Sequence, residues 1–236
     1  FAIDPATGAA ARALGPHLDC VSAERIQEEL LKLLAAPRPG SYLEPAVLAV
    51  VLPELEPEKQ PEQFAELCRT IDRIEPTAEN VPARLAALLW PLGEAGARKA
   101  LRKLKCSNAL TDEVTALERE APGTPGSEMQ LTAKRLLGRY ELPTIQRLTA
   151  LCSARHPEQT GAFAALRAEA ERLTAENACC RVSQLAVNGR DLMAAGVRPG
   201  PGLRQVLNAL LETVITGQTP NEKDALLAAA AQFSAS

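Results

Sequence analysis

Apolar side chains recur along this chain at the three- and four-residue spacing that lines one face of an α-helix. Ile26, Leu30, Leu33 and Leu34 make one such stripe, and Phe64, Leu67, Cys68, Ile71 and Ile74 another. Val81, Leu85, Leu88, Leu89 and Leu92 follow, then Ala97, Ala100, Leu101 and Leu104. Later stripes are Phe163, Leu166, Ala170 and Leu173, and the long series Leu203, Val206, Leu207, Leu210, Leu211, Val214 and Ile215. Asp4-Pro5 predicts the start of a helix reaching Leu14, and Ser22 with Glu24 caps the next. The apolar run Leu43 to Leu52 has some strand character, but its helical neighbours favour a buried helix. Further helices are predicted over about 127–140, 143–153 and 158–178. No segment shows convincing period-two alternation, and no tandem repeat occurs. The pattern predicts an all-α fold, an elongated array of helices joined by short Pro/Gly turns.

Punctuation sharpens this picture in the last quarter. Asn188-Gly189 is a turn dipeptide, Asp191 can cap a short helix, and Gly196 suits the position past its end. Pro199 stops that helix, Pro201 fits the first turn of the next, Gly217 ends it, and Asn221 is expected to cap the last. Gly200 and Gly202 thus present backbone amides at a helix start flanked by Arg190, Arg198 and Arg204, an arrangement that favours an anion. The competing reading is that these glycines and prolines only terminate helices. Ala121 to Gly126 reads as a linker.

Composition narrows the function. Of 236 residues, 46% are apolar but only 3% aromatic, so a base-stacking platform is not expected. The formal net charge is −3, so any nucleic-acid site must be a local patch. Arg98, Lys99, Arg102, Lys103 and Lys105 form one acid-free cluster; Lys134, Arg135 and Arg139 form a second; four arginines and one acid lie between Arg181 and Arg204. Such patches either bind phosphate or are simply solvated helix faces. Six scattered cysteines show no Cys-x-x-Cys spacing and fit a reducing cytoplasm. His17 and His156 lack metal-ligand spacing, and no nucleophile or nucleotide-loop motif occurs. Gly40-Ser41 followed by Glu54 and Glu56 imitates a nucleotidyl-transfer site, but an exposed acidic loop is the default. No apolar run is long enough for a membrane. Phe1 enters mid-pattern, which predicts an excised or processed chain.

Four stretches carry a resemblance. Phe1-Ala2-Ile3-Asp4-Pro5-Ala6-Thr7, Val21-Ser22-Ala23-Glu24-Arg25-Ile26-Gln27-Glu28-Glu29-Leu30, Val51-Leu52-Pro53-Glu54-Leu55 and the tail from Leu185 to Asn221 resemble the C-terminal part of the bacterial CCA-adding tRNA nucleotidyltransferases and poly(A) polymerases. Residues 78–176 match only weakly. The resemblance implies a head–neck–body–tail protein, with a neck remnant over 1–40, a helical body over 41–178 and a helical tail over 179–236. In that family the head carries the catalytic Asp-x-Asp and magnesium, and a Glu-Asp-x-x-Arg element selects CTP or ATP. Neither lies in this chain, so no catalytic residue, metal site or cofactor is expected in it. Trp90-Pro91 stands where some members carry a His-Asp phosphohydrolase motif. The implied role is tRNA binding, the body against the acceptor stem and the tail against the elbow, in partnership with the protein's own N-terminal catalytic head. The expected RNA contacts are Arg98, Lys99, Arg102, Lys103, Lys105, Arg190, Arg198, Gly200, Gly202 and Arg204, with Arg25 and Glu28 bracing the neck. The same region of a poly(A) polymerase, a helical protein-interaction scaffold and a divergent enzyme built on Glu54 and Glu56 are the alternatives.

Overall fold

A computed structural model describes residues 4–120, 126 and 128–233; at 5, 7, 8, 11, 12, 16 and 19 it describes the backbone alone. The linker-like stretch 121–126 lies outside the described residues but for Gly126. The described residues form thirteen α-helices joined by short 3-10 turns, with no strand. The fold is all-α.

The chain divides into two compact units, one of residues 1–123 and 146–160, the other of 124–145 and 161–236. Packing thus groups residues 124–145 and 161–178 with the segment after 179.

The first unit contains α1 (Pro5–Leu14), α2 (Ala23–Ala35), α3 (Pro45–Val51), α4 (Pro61–Arg73), α5 (Val81–Leu89), α6 (Gly93–Lys103) and α7 (Asn108–Arg119). The run after Leu43 is indeed helical: Pro45 supplies the first turn of α3. The acidic stretch Asp112 to Glu120 mostly belongs to α7, a helix not evident from its periodicity; Ser107 caps it by accepting from the Leu110 amide at 3.2 Å. α5 is the centre of this unit. Every residue from Ala83 to Leu89 is buried, and α2, α4, α6 and α7 pack around it. A helix buried on all sides has no place for a charge, yet Arg84 is 0% exposed.

Arg84 is accommodated because its guanidinium meets the ends of two helices. Nε donates to Ile74 O (3.0 Å) at the C-cap of α4, and Nη1 donates to Leu34 O (2.6 Å) and Ala36 O (2.7 Å) at the end of α2. Terminal carbonyls have no intrahelical donor and carry the negative end of the helix dipole. Arg84 therefore satisfies three acceptors, those of Ile74 and Leu34 buried and that of Ala36 part-buried, in the field that favours a cation. Burial lowers its pKa, and the nearby Asp72 carboxylate opposes that.

The second unit contains α8 (Met129–Arg139), α10 (Thr160–Ala175), α11 (Gly189–Ala194), α12 (Pro201–Ile215) and α13 (Lys223–Phe233). The unit boundary falls inside α9 (Leu142–Arg155). Val187, Leu192, Val197, Val206, Leu210, Val214, Leu226 and Ala230 form the tail core. The predicted α12 stripe places Val206, Leu210, Val214 and Ile215 in the interior. Two cations cap helix ends here too. Arg181 donates to Leu137 O and Tyr140 O, both at 2.9 Å, at the end of α8, and Lys134 donates to Ile215 O at 3.1 Å, at the end of α12.

Two outcomes are predicted. Arg84→Met strands three carbonyls, each costing about 1–3 kcal/mol, so the urea midpoint should fall by the equivalent of about 3–5 kcal/mol; a loss below about 1 kcal/mol would contradict the capping role. The second concerns Glu118 on α7, whose Oε1 is buried without a hydrogen-bond partner. Burial pushes this carboxyl up to about 7; Arg155 opposes the shift and Glu94 adds to it. A raised acid pKa means the folded state holds a proton that the unfolded chain has released, so stability falls from about pH 4.5 to about pH 7 and levels off above. Glu118→Gln should therefore gain about 1–2 kcal/mol relative to the parent at pH 8 compared with pH 4.5, measured by denaturation at both values. Parallel stability–pH curves would contradict this.

Candidate functional site

The tail loop is built by reciprocal capping. Asn188 Oδ1 accepts from the Arg190 (2.8 Å) and Asp191 (3.3 Å) amides, while Asp191 Oδ2 accepts from the Asn188 amide (2.9 Å). Asn188 is thus the cap and Asp191 its partner three positions on; sequence reading assigned the cap to Asp191 because either side chain can do it. Lys223 Nζ pairs with Asp191 Oδ1 at 2.6 Å, and that bond together with the Asn188 amide holds the carboxyl below its usual range. Gly196 (φ +96°) ends α11, where the Val197 amide reaches Leu192 O at 3.0 Å. Asn221 does not cap α13: its Oδ1 accepts from the Ala186 amide at 2.8 Å and its Nδ2 donates to Gln184 O at 3.0 Å, pinning the segment that leads into the loop.

α12 starts at an exposed Gly200-Pro201-Gly202. Gly200 has φ +139°, which favours glycine, and the amides of Gly200 and Gly202 find no partner among the described residues. A Cβ on Gly189 would come within 3.1 Å of Leu203 Cδ2, so the first turns of α11 and α12 adjoin. Arg190 and Arg204, next in sequence to that contact, leave from adjoining turns, and Arg198 precedes Gly200. All three are exposed and make no side-chain hydrogen bond or ion pair among the described residues. The fourth arginine of the cluster, Arg181, instead donates to the α8 carbonyls and pairs with Glu141 at 2.6 Å.

The α6 cluster divides likewise. Arg98 turns into the packing with α7, pairing with Asp112 Oδ1 (3.1 Å) and donating to Thr115 Oγ1 (2.8 Å). Lys103 Nζ lies 3.5 Å from Val51 O. Lys99, Arg102 and Lys105 are exposed and unpaired among the described residues. Lys105 adopts φ +59° just past α6. The third basic group is committed to the fold: Lys134 to Ile215 O, Arg135 to Glu212 at 2.8 Å, and Arg139 also has a partner.

The remaining candidates find ordinary places. Gly40 is a packing glycine: its amide donates to Asp72 Oδ1 at 2.8 Å, and a Cβ there would sit 2.5 Å from Cys68 O. Glu54 lies in a 3-10 turn, and Glu56 pairs with Lys59 at 2.6 Å. No group of three or more His, Cys, Asp or Glu side chains that could hold a metal occurs among the described residues. Arg25 and Glu28 are exposed on α2 and make no side-chain hydrogen bond or ion pair among the described residues. No described helix is long and apolar enough to cross a membrane.

Comparison with known proteins supplies independent information. Residues 77–230 match the family model described as "tRNA nucleotidyltransferase domain 2 putative", and residues 1–59 match "Probable RNA and SrmB- binding site of polymerase A". A CCA-adding enzyme of Levilactobacillus brevis is 62% identical over 45 residues, 19% of this chain and 11% of that protein. One from Lactiplantibacillus plantarum is 31% identical over 153 residues, 64% of this chain and 36% of its own length. One from Geobacillus kaustophilus is 28% identical over 240 residues, covering 97% of this chain and 55% of that protein. The chain therefore spans about half the length of the relatives it matches end to end. No solved structure matches it.

The tail geometry makes one prediction. Asn188→Ala removes the cap and should cost about 1 kcal/mol, with amide exchange accelerating first in residues 189–194. Unchanged exchange there would show that packing alone holds the loop.

Proposed function

The chain belongs to the tRNA nucleotidyltransferase domain 2 family, and on that premise we propose that it is the tRNA-holding region of a CCA-adding enzyme. The observation that carries this reading is that six of the eight exposed cations left without a hydrogen bond or ion pair among the described residues fall into two groups, Lys99, Arg102 and Lys105 in one unit and Arg190, Arg198 and Arg204 in the other; Arg25 and Arg38 are the remaining two. The tail set surrounds a helix start with unpaired amides, which adds donors for phosphate oxygens. Cations held only by solvent can exchange their counterions for phosphates, whereas Arg98 and Arg181 would first have to break their intramolecular bonds.

In this reading the reaction lies elsewhere in the protein: a head domain holds magnesium and positions CTP and ATP for transfer to the RNA 3′ end. The residues described here supply grip and register, and Arg25 and Glu28 offer unspent charges at the neck. A cytoplasmic setting follows from the tRNA substrate. The Geobacillus, Levilactobacillus and Lactiplantibacillus relatives are each named CCA-adding enzyme, which favours CCA addition over polyadenylation.

Binding of a tRNA minihelix tests this. The logarithm of affinity should fall linearly with the logarithm of salt concentration. Joint replacement of Arg190, Arg198 and Arg204 by Ala should reduce the slope by about 2–3, as should replacement of Lys99, Arg102 and Lys105. Arg98→Ala should lower stability and leave the slope unchanged. Salt-independent binding, or slopes unaffected by both triple variants, would refute the proposal.

A further inference from the structure

We propose that a cleft between α4, the end of α5 and the last residue of α9 binds one unpaired nucleobase. Its volume is about 190 Å³, below the roughly 300–1,000 Å³ of sites for drug-sized molecules, so it holds a ring system rather than a whole nucleotide. Leu67, Ala87, Trp90 and Pro91 give it apolar lining. Arg155 lies over Trp90, its guanidinium carbon 3.3 Å from the ring centroid.

Three polar side chains of the cleft, Arg155, Thr70 and Gln63, make no hydrogen bond among the described residues. Arg155 makes no hydrogen bond to the described residues, although it feels the Glu118 carboxyl beside it. Thr70 is only 7% exposed, yet its hydroxyl has no hydrogen-bond partner among the described residues and is not sealed from the cleft. Gln63, one helical face along α4 from Thr70, has a free amide. These groups open onto the cleft and are available to pair with a ligand that enters it. Arg155 offers a planar fork of donors, with Thr70 and Gln63 able to donate alongside it. The matching ligand is flat, apolar on its faces and rich in acceptors at one edge. Guanine, with O6 and N7 adjacent, fits this description best.

A bare phosphate fits less well. It gains nothing from the apolar lining, and the carboxylate of Glu66 stands in the cleft wall, although Arg69 and Arg73 hold it at 2.8 Å each. The proposed RNA-binding role supplies a source for such a base. The test uses free guanosine, so that it stands apart from tRNA binding.

Trp90 is the only tryptophan of the chain, and its fluorescence reports the cleft directly. Titration of the full chain with guanosine should produce a saturable change that inorganic phosphate does not. Thr70→Val, which keeps the side chain's shape, should weaken guanosine about two- to tenfold. Arg155→Lys keeps the charge but loses the planar fork, and should weaken it at least as much. Far-UV circular dichroism establishes that each variant is folded; should Arg155→Lys fail to fold, Thr70→Val decides. No saturable response to guanosine, an equal response to phosphate, or parent-like affinity in folded Thr70→Val would overturn the proposal. Any of these, alongside intact salt-dependent tRNA binding, would remove the base site and leave the RNA-binding role standing.

Discussion

A fold made of many short helices depends on what becomes of their C-terminal carbonyls. Each helix ends with acceptors that lack an intrahelical donor, and the thirteen helices among the described residues present that problem repeatedly. The recurrent answer is a long cationic side chain from a neighbouring element. Arg84 serves α2 and α4, Arg181 serves α8, Lys134 serves α12, and Arg73 donates to Ala154 O at 3.1 Å near the end of α9. The burial of Arg84 at the centre of α5 shows how much rests on this. A charge in that place is tolerable only because three carbonyls converge on it.

This use of cations decides which remain for other work. Arg98, Arg147 and Arg181 are held by Asp112, Glu113 and Glu141, or by carbonyls. Among the described residues the exposed unpaired cations other than Arg25 and Arg38 lie on the second half of α6 or just past it, and where α11 and α12 begin. Segregation of this kind reconciles a net charge of −3 with the proposed RNA partner: the unpaired positive charge is grouped locally.

The helices were legible because a stripe at helical spacing reports burial directly, as Leu30 and Leu34 or Val206 and Leu210 do. The Gly196 and Gly217 stops were legible because positive φ favours glycine. Arg84 was not, since a lone arginine among apolar residues looks like a solvated position until its acceptors are placed 10 to 50 residues away. The same blindness hides the pairing of Arg98 with Asp112, of Lys134 with Ile215 O and of Arg135 with Glu212. Charge clustering in sequence records which cations exist, while their availability depends on partners distant along the chain. Asn221 failed for a related reason: its side chain found acceptors and donors at residues 184–186 and left the adjacent helix start uncapped by it. α7 escaped because its acids obscured the periodicity of Val114 and Leu117.

The central claim is that the cations left over from helix capping are those that meet RNA. Hydrogen–deuterium exchange of the chain with and without tRNA tests it most directly. The account predicts slowed exchange over residues 99–105 and 198–204 at low salt, reversed when salt is raised, with exchange around Arg84 and Arg181 unchanged. Protection confined to other segments, or protection that persists undiminished at high salt, would contradict it.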